Sequence, residues 1–373
     1  MSKSIKSAYS SMVSHITSGR TPQRSSANGQ PAPLAMPPTP LAVAVDERQM
    51  ELEQDLQMAR DLQQGLMLET VPRVAGWEIS AVSLPARELG GDLYDFLALR
   101  PGQQAIMIGD VSGKGLPAAL RMAVARTVFR AEARRKTSPG VTLAEVNRIL
   151  IEEMPHGMVT MLYATIDTAD GNLQFANAGH NYLILISQEV NEIEATGLPL
   201  GVVEIDQYTE HALKMDYGDT ALLYTDGIIE ATDEHNNLFG YPRLQTLLRS
   251  VGHMKPRALM SRILTEVRAW THGHLKHDDI TMVLVRRRLQ YLVDEMHSIV
   301  ADIVGPRTAD EWWETLDLTG SNRTPDECVE LLPTLNDLVS SQFGRGIARE
   351  IQAQLRPTIE EYRLIAPSPP REA

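Results

Sequence analysis

Four short segments, far apart in the chain, each set an aspartate beside glycine or a second acid at the end of an apolar run. They are Glu88-Leu89-Gly90-Gly91-Asp92-Leu93-Tyr94-Asp95, Gly109-Asp110-Val111-Ser112-Gly113-Lys114-Gly115, Tyr224-Thr225-Asp226-Gly227 and His277-Asp278-Asp279-Ile280-Thr281. The apolar runs read as β-strands, and a strand end is a rigid mount for a ligand. The glycines let backbone approach closely and expose carbonyls. Each segment alone has a plainer reading. Asp226-Gly227 is a common hairpin signal. Asp278-Asp279 alone suits a solvated turn. Taken together, carboxylates, carbonyls and water suit hard divalent ions such as Mg²⁺ and Mn²⁺. Acids gathered without cations between them would repel one another. Two ions ~4 Å apart can clamp a phosphate and ready a water for attack. Such a site needs no Ser, Cys or His nucleophile.

The rest of the composition narrows the classes. A net charge of −13 argues against a nucleic-acid binder, which needs a basic surface. Cys328 is the only cysteine, so no internal disulfide and no cysteine-rich zinc site can form. A lone thiol fits a reducing cytoplasm. Apolar runs such as Leu41 to Val45 fall far short of the ~18 residues a membrane span needs. At 373 residues the chain suits a large domain with extensions, or two domains.

Four regions follow from the pattern. Residues 1–45 hold nine Ser, six Pro, four Lys or Arg and no Asp or Glu, which predicts a disordered, mildly basic tail. A transit peptide has a similar composition, but Pro31 to Pro40 would break its amphipathic helix. Residues 46–70 predict an amphipathic linker helix, with Leu56, Leu62 and Leu66 at helical spacing. It can pack in cis or pair with its copy in a homodimer. Residues 71–287 predict the main domain. Its strands are expected at Trp77–Leu84, Asp92–Leu99, Gln104–Asp110, Thr160–Asp167, Leu173–Asn177, Tyr182–Ile186, Tyr208–Lys214, Thr220–Thr225 and Ile280–Val285. Helices are expected at Leu116–Lys136, at Leu143–Met154 with Thr142 as N-cap and Glu145 as capping-box partner, at Arg243–Ser250 and at Pro256–Thr271. Strands in series with helices gathered between them predict an α+β fold of antiparallel sheets covered by helices. Residues 288–373 predict a helical C-terminal region of unassigned role. Its helices are expected at Leu289–Val304 and from Pro325 onward, behind the capping signal Thr324-Pro325-Asp326-Glu327. Pro333 and Gly344 are expected to limit the last helix.

Seven segments, in order, carry a resemblance that spans roughly Leu56 to Arg287. They are Ala59-Arg60-Asp61-Leu62-Gln63-Gln64-Gly65-Leu66, Pro85-Ala86-Arg87-Glu88-Leu89-Gly90-Gly91-Asp92, Asp110-Val111-Ser112-Gly113-Lys114-Gly115, Asn177-Ala178-Gly179-His180-Asn181, Leu198-Pro199-Leu200-Gly201, Tyr224-Thr225-Asp226-Gly227 and Asp278-Asp279-Ile280-Thr281. The chain resembles the metal-dependent protein Ser/Thr phosphatases of the PPM type (protein phosphatase 2C-like), in the SpoIIE/RsbU-like bacterial branch. The resemblance implies an α-β-β-α sandwich with the metal site at one edge of the two sheets. It implies two divalent cations, Mn²⁺ or Mg²⁺, bridged by Asp110. Asp92 and the carbonyl of Val111 would serve one ion, and Asp226 and Asp278 the other. Asp279 would hold a metal-bound water or a third ion. The chain departs from members outside the branch, since Val111-Ser112-Gly113 stands where they carry a His after the bridging Asp. No arginine is assigned to the substrate phosphate; Arg87 suits a surface role better. His180 is expected to support a turn or strand rather than to catalyse.

The resemblance implies a cytoplasmic phosphatase that hydrolyses phosphoserine or phosphothreonine by two-metal water attack. Its expected substrate is a phosphorylated STAS-type anti-sigma-factor antagonist in a partner-switching pathway. The competing reading is a catalytically weak phosphatase-fold module acting as a regulatory scaffold, against which the retained carboxylates argue. A P-loop at Gly109 to Gly115 fails on spacing, because three residues rather than four precede Gly-Lys and Gly follows Lys114. A His-rich two-metal phosphodiesterase lacks its ligands beside the Asp motifs, His277 apart.

Overall fold

In the computed structural model, the described residues are 40–67, 70–135, 138–154, 157–273 and 278–365. The chain divides into two compact units, Met1–Glu51 and Leu52–Ala373. What is described of the first is the start of helix α1 (Pro40–Leu66). That helix begins six residues before the expected linker. Pro40 sits at its first position, where a missing N–H costs no helical hydrogen bond. The rest of the expected tail, residues 1–39, lies outside the described residues.

Two five-stranded sheets follow. One has the order β1 (Trp77–Leu84), β10 (Ile280–Arg287), β9 (Thr220–Tyr224), β6 (Leu183–Ile186), β7 (Val190–Ile193). The other has the order β2 (Leu93–Arg100), β3 (Gln103–Val111), β4 (Val159–Asp167), β5 (Asn172–Ala178), β8 (Glu210–Lys214). Every pairing is antiparallel. β3 explains the layering. Its Ile106 and Ile108 point into the core between the sheets, with Leu162, Leu223 and Val283. Its Ala105 and Met107 point the other way, into a core shared with Met122, Phe129, Leu143 and Leu150. These last belong to α2 (Leu116–Ala133) and α3 (Pro139–Glu153). β10 behaves alike, with Val283 and Val285 inward and Met282 and Leu284 under α4 (Gly240–Val251) and α5 (Pro256–Trp270). Strands covered on both faces read as unbroken apolar runs. The result is the expected α-β-β-α sandwich.

Three expectations need correction. β7 was not foreseen, because Val190-Asn191-Glu192-Ile193 is short and half polar. α3 starts at Pro139 rather than Leu143. Ser138 is its N-cap, and Thr142 lies inside the helix with its hydroxyl donating to the Ser138 carbonyl, so there is no capping box at Thr142. The third concerns the C-terminal region, which adds α7 (Pro306–Thr315) between α6 (Leu292–Val304) and α8 (Pro325–Tyr362).

The C-terminal helices have their own core, with Met296, Trp312, Trp313, Leu335, Ile351 and Ile359 all buried. The Thr324–Glu327 capping box at the start of α8 is formed as expected. Gly344, at φ 84°, kinks α8, whereas Pro333 is carried inside it. No helix among the described residues is long and apolar enough to cross a membrane.

Candidate metal centre

The strand order brings the four acidic segments to one edge of the sandwich. Asp92 precedes β2, Asp110 is near the end of β3, Asp226 follows β9, and Asp278 and Asp279 precede β10. β2 and β3 are neighbours in one sheet, and β9 and β10 in the other. His277, with which the fourth segment begins, lies outside the described residues.

The acids are close enough to perturb one another. Burial pushes the Asp92 carboxyl well above its ordinary value, and the Asp110 charge adds to the rise. Asp110 is pushed up to about 6 by burial, then by Asp226, Asp278 and Asp279. Asp226 is also pushed up to about 6, by burial, then Glu230 and Asp278, while Lys114 offsets part of the rise. A group of carboxylates in this condition is short of positive charge.

Hydrogen bonds hold the edge in place. Thr225 Oγ1 donates to Asp92 Oδ2 at 2.8 Å and accepts the Thr281 amide at 2.9 Å, so one hydroxyl ties β9, β10 and the start of β2 together. Asp279 accepts the Ala86 amide on one oxygen at 2.7 Å and the Gly91 amide on the other at 2.6 Å. It thereby anchors the loop that carries Asp92. α1 grips the same loop, with Gln63 Nε2 donating to the Gly90 carbonyl at 2.7 Å and Arg60 Nε to the Glu88 carbonyl at 3.0 Å. Behind Asp110, α2 is fixed to β2 by a buried ion pair. Asp95 meets Arg126 at 3.1 Å and Arg130 at 2.9 Å.

His180 has the supporting role expected of it. Its Nδ1 lies 2.8 Å from Thr160 Oγ1, and its amide donates to Asn177 Oδ1. Burial lowers its pKa to about 4, so the ring is neutral at pH 7. Arg87 is exposed, in keeping with a surface role. Sequence reasoning missed Lys114, whose Nζ meets Asp278 Oδ2 at 2.8 Å. Its place inside the second acidic segment was the available signal. Thr225 and Gln63 were missed as well, because a hydroxyl or amide at such a spot carries no signature of its own.

The donor set fits hard divalent cations. All the donors are oxygen, the ligand type that hard divalent cations prefer. The glycine at 91 leaves room where a Cβ would stand 2.7 Å from the Val111 carbonyl oxygen and 3.4 Å from Asp110 Oδ1. That gap is where a carbonyl and a carboxylate converge. Among the described residues no three His, Cys, Asp or Glu side chains are gathered closely enough to hold a metal ion. Asp278 is instead turned to Lys114, and Asp279 to the two amides.

Comparison with known proteins agrees with the two-sheet fold. Residues 100–288 match the family described as Stage II sporulation protein E (SpoIIE). Phosphoserine phosphatase RsbU of Bacillus subtilis is 29% identical over 245 residues, covering 65% of this chain and 72% of that protein. Protein IcfG of Synechocystis is 30% identical over 264 residues, covering 62% of this chain but only 41% of its own length. Among solved structures, the SiaA-PP2C domain of Pseudomonas aeruginosa superposes with a TM-score of 0.58 at 22% identity, covering 64% of this chain and 98% of that one. The RsbU and RsbW domains of a Mycobacterium tuberculosis protein superpose with a TM-score of 0.52 at 24% identity, covering 71% and 77%. On the matched family, the two-sheet sandwich and the acids at its edge, the chain belongs to the SpoIIE family, within the SpoIIE/RsbU branch of the PPM-type phosphatases.

Proposed function

We propose that the protein is a metal-dependent phosphatase of phosphoserine or phosphothreonine in proteins. The observation that carries this reading is the convergence of Asp92, Asp110, Asp226 and Asp278 at one sandwich edge, where burial and neighbouring acids raise the carboxyls of Asp92, Asp110 and Asp226. Asp92 and the Val111 carbonyl would hold one cation and Asp226 with Asp278 the other, with Asp110 shared between them. Two Mn²⁺ or Mg²⁺ ions, when bound, polarise a phosphoryl oxygen and make water a competent nucleophile near neutral pH. The chain itself aims the acids. Thr225 orients Asp92, and Asp279 locks the Gly90–Gly91 loop beside it. That use of both Asp279 oxygens favours a positioning role over a water-holding one.

The reading is tested with a small aryl phosphate and Mn²⁺. Wild type is expected to turn over, and Asp110→Asn to lose at least ~100-fold in kcat, as removal of a central charge from a polar site does. Equal rates in the two proteins would reject it and favour the scaffold reading.

The named relative RsbU is a phosphoserine phosphatase, which supports a phosphoprotein substrate here. A phosphorylated STAS-type antagonist in a cytoplasmic partner-switching pathway is the corresponding proposal. The expected linker, 46–70, most of which is helix α1, would be its control element, through a homodimer. Met58, Leu62 and Leu66 recur every four residues along α1 and are exposed, which supplies an apolar stripe for a second copy. Leu62→Glu is expected to convert a dimer to a monomer in light scattering; a monomeric wild type would remove this part.

A further inference from the structure

With two divalent cations in place, Asp92, Asp110, Asp226 and Asp278 are neutralised and Asp279 still carries its charge. A phosphate monoester then arrives with about two more negative charges at pH 7. Something other than the cations must grip its remaining oxygens. We propose that Lys114 does so: its ammonium leaves Asp278 as that carboxylate turns to a cation, and moves onto the substrate phosphate. The proposal rests on the phosphatase reading above.

Four observations carry it. The ammonium is already in the site, 2.8 Å from Asp278 Oδ2, an acid assigned to one cation. The pair is open to solvent, with the two side chains 40% and 37% exposed. An exposed ion pair is weak and readily exchanged for a better partner. The mount can move. Gly113 and Gly115 flank the lysine at φ 101° and 73°, and a Cβ on Gly115 would meet nothing within 4 Å. Two glycines beside a long, flexible stem give the ammonium reach without disturbing Asp110. Finally, α2 starts at Leu116 with Gly115 as an N-cap that offers no side-chain acceptor. Its first-turn amides, Pro117 excepted, favour negative charge.

Among the described residues Arg121 also approaches this segment. Arg121 Nη1 approaches the Ser112 carbonyl at 3.5 Å, and its side chain packs by Gly157. Lysine binds phosphate as a point charge, so some freedom of position is no handicap.

The test compares the full chain with Lys114→Met and Lys114→Arg. Calorimetry measures Mn²⁺ binding alone, and then inorganic phosphate binding to the Mn²⁺-loaded proteins. KM and kcat are measured with a small aryl phosphate. Lys114→Met is expected to weaken phosphate about tenfold and to raise KM by a similar factor, as loss of one charge-assisted hydrogen bond does. Lys114→Arg should restore most of both. Mn²⁺ affinity should be equal or higher in Lys114→Met, because a competing cation has left Asp278. Unchanged phosphate affinity in the Met variant overturns the proposal. So does a loss of Mn²⁺ affinity, which would make Lys114 a loop-ordering residue, or a failure of Arg to rescue. A wild type without turnover counts against the phosphatase reading instead, and the phosphate titration then decides on Lys114 alone.

Discussion

A single missing methyl group shapes the candidate site. At position 91 a Cβ would stand 2.7 Å from the Val111 carbonyl oxygen, well inside van der Waals contact. Gly91→Ala must push that carbonyl back or shift the loop that holds Asp92. The expected cost is ~1–3 kcal/mol in thermal or urea unfolding, with weaker Mn²⁺ binding in calorimetry. An alanine variant with native stability and affinity would show that the two strands are not held as closely as described. Cys328 makes the opposite case, a residue with chemistry available but withheld. It is buried as a free thiol, and burial pushes it up to about 11. Native protein is expected to resist a thiol reagent at pH 8 and to react once unfolded. Gly91 was legible, because Gly-Gly before Asp at a strand start needs close backbone approach. The lysine was written in the same segment as Asp110, but no spacing rule says that its ammonium faces Asp278, 164 residues on.

At the scale of elements, α1 and the Asp92 loop act as a pair. Gln63 exchanges two hydrogen bonds with Gly90, donating at 2.7 Å and accepting at 3.3 Å. Gln63→Ala removes both and leaves the Gly90 groups to water. Stability should fall by only ~1 kcal/mol, the net worth of such bonds. Mn²⁺-dependent turnover should fall several-fold more than that loss explains, since a small displacement of Asp92 weakens every step that uses it. A proportionate fall in both would reduce α1 to a strut. The strand positions were readable from apolar runs and their glycine punctuation. The start of α3 was not. Thr142 and Glu145 satisfy the capping-box pattern, yet Pro139 at the first helical turn and Ser138 before it set the true beginning. In α7 the residues Ala309, Trp312 and Trp313 are buried at helical spacing, and Gly305 at φ 92° marks the start. The pattern was present but short, and it sat between two longer helices.

Across the whole molecule, one buried carboxylate joins the C-terminal helices to the sandwich. Glu295, on α6, is fully buried and meets Lys255 at 3.1 Å, Arg286 at 3.1 Å and Arg288 at 3.2 Å. Lys255 opens α5 and Arg286 belongs to β10, so the network spans both parts of the fold. Burial alone would raise the Glu295 carboxyl, but the three cations together hold it well below the usual carboxylate range. Its stabilisation is therefore complete above the unfolded value of 4.5 and is lost as pH falls through the depressed folded value. Glu295→Gln removes the carboxylate that three cations share in a buried place, leaving Glu78 beside Arg286 and Glu361 beside Arg288, and a loss of ~3–5 kcal/mol is expected in urea unfolding at pH 7. Below pH 4 the gap between variant and wild type should narrow. A variant as stable as wild type at pH 7 would mean that water reaches the cluster.

What the amino-acid order determined by itself is local or periodic. Alternation and apolar runs set the strands, the capping signal at Thr324 started α8, and acids beside glycines marked the candidate donors. These depend on neighbours a few residues away, and the chain states them directly. Which sheet each strand joins, and so which acids meet, was decided by tertiary structure. The antiparallel orders that place β2 beside β3 and β9 beside β10 carry Asp92 and Asp278 to one edge. The same packing set Lys114 on Asp278 and Thr225 on Asp92. Contacts between residues more than a hundred positions apart arise only when two layers close on a shared core, and no local pattern encodes them.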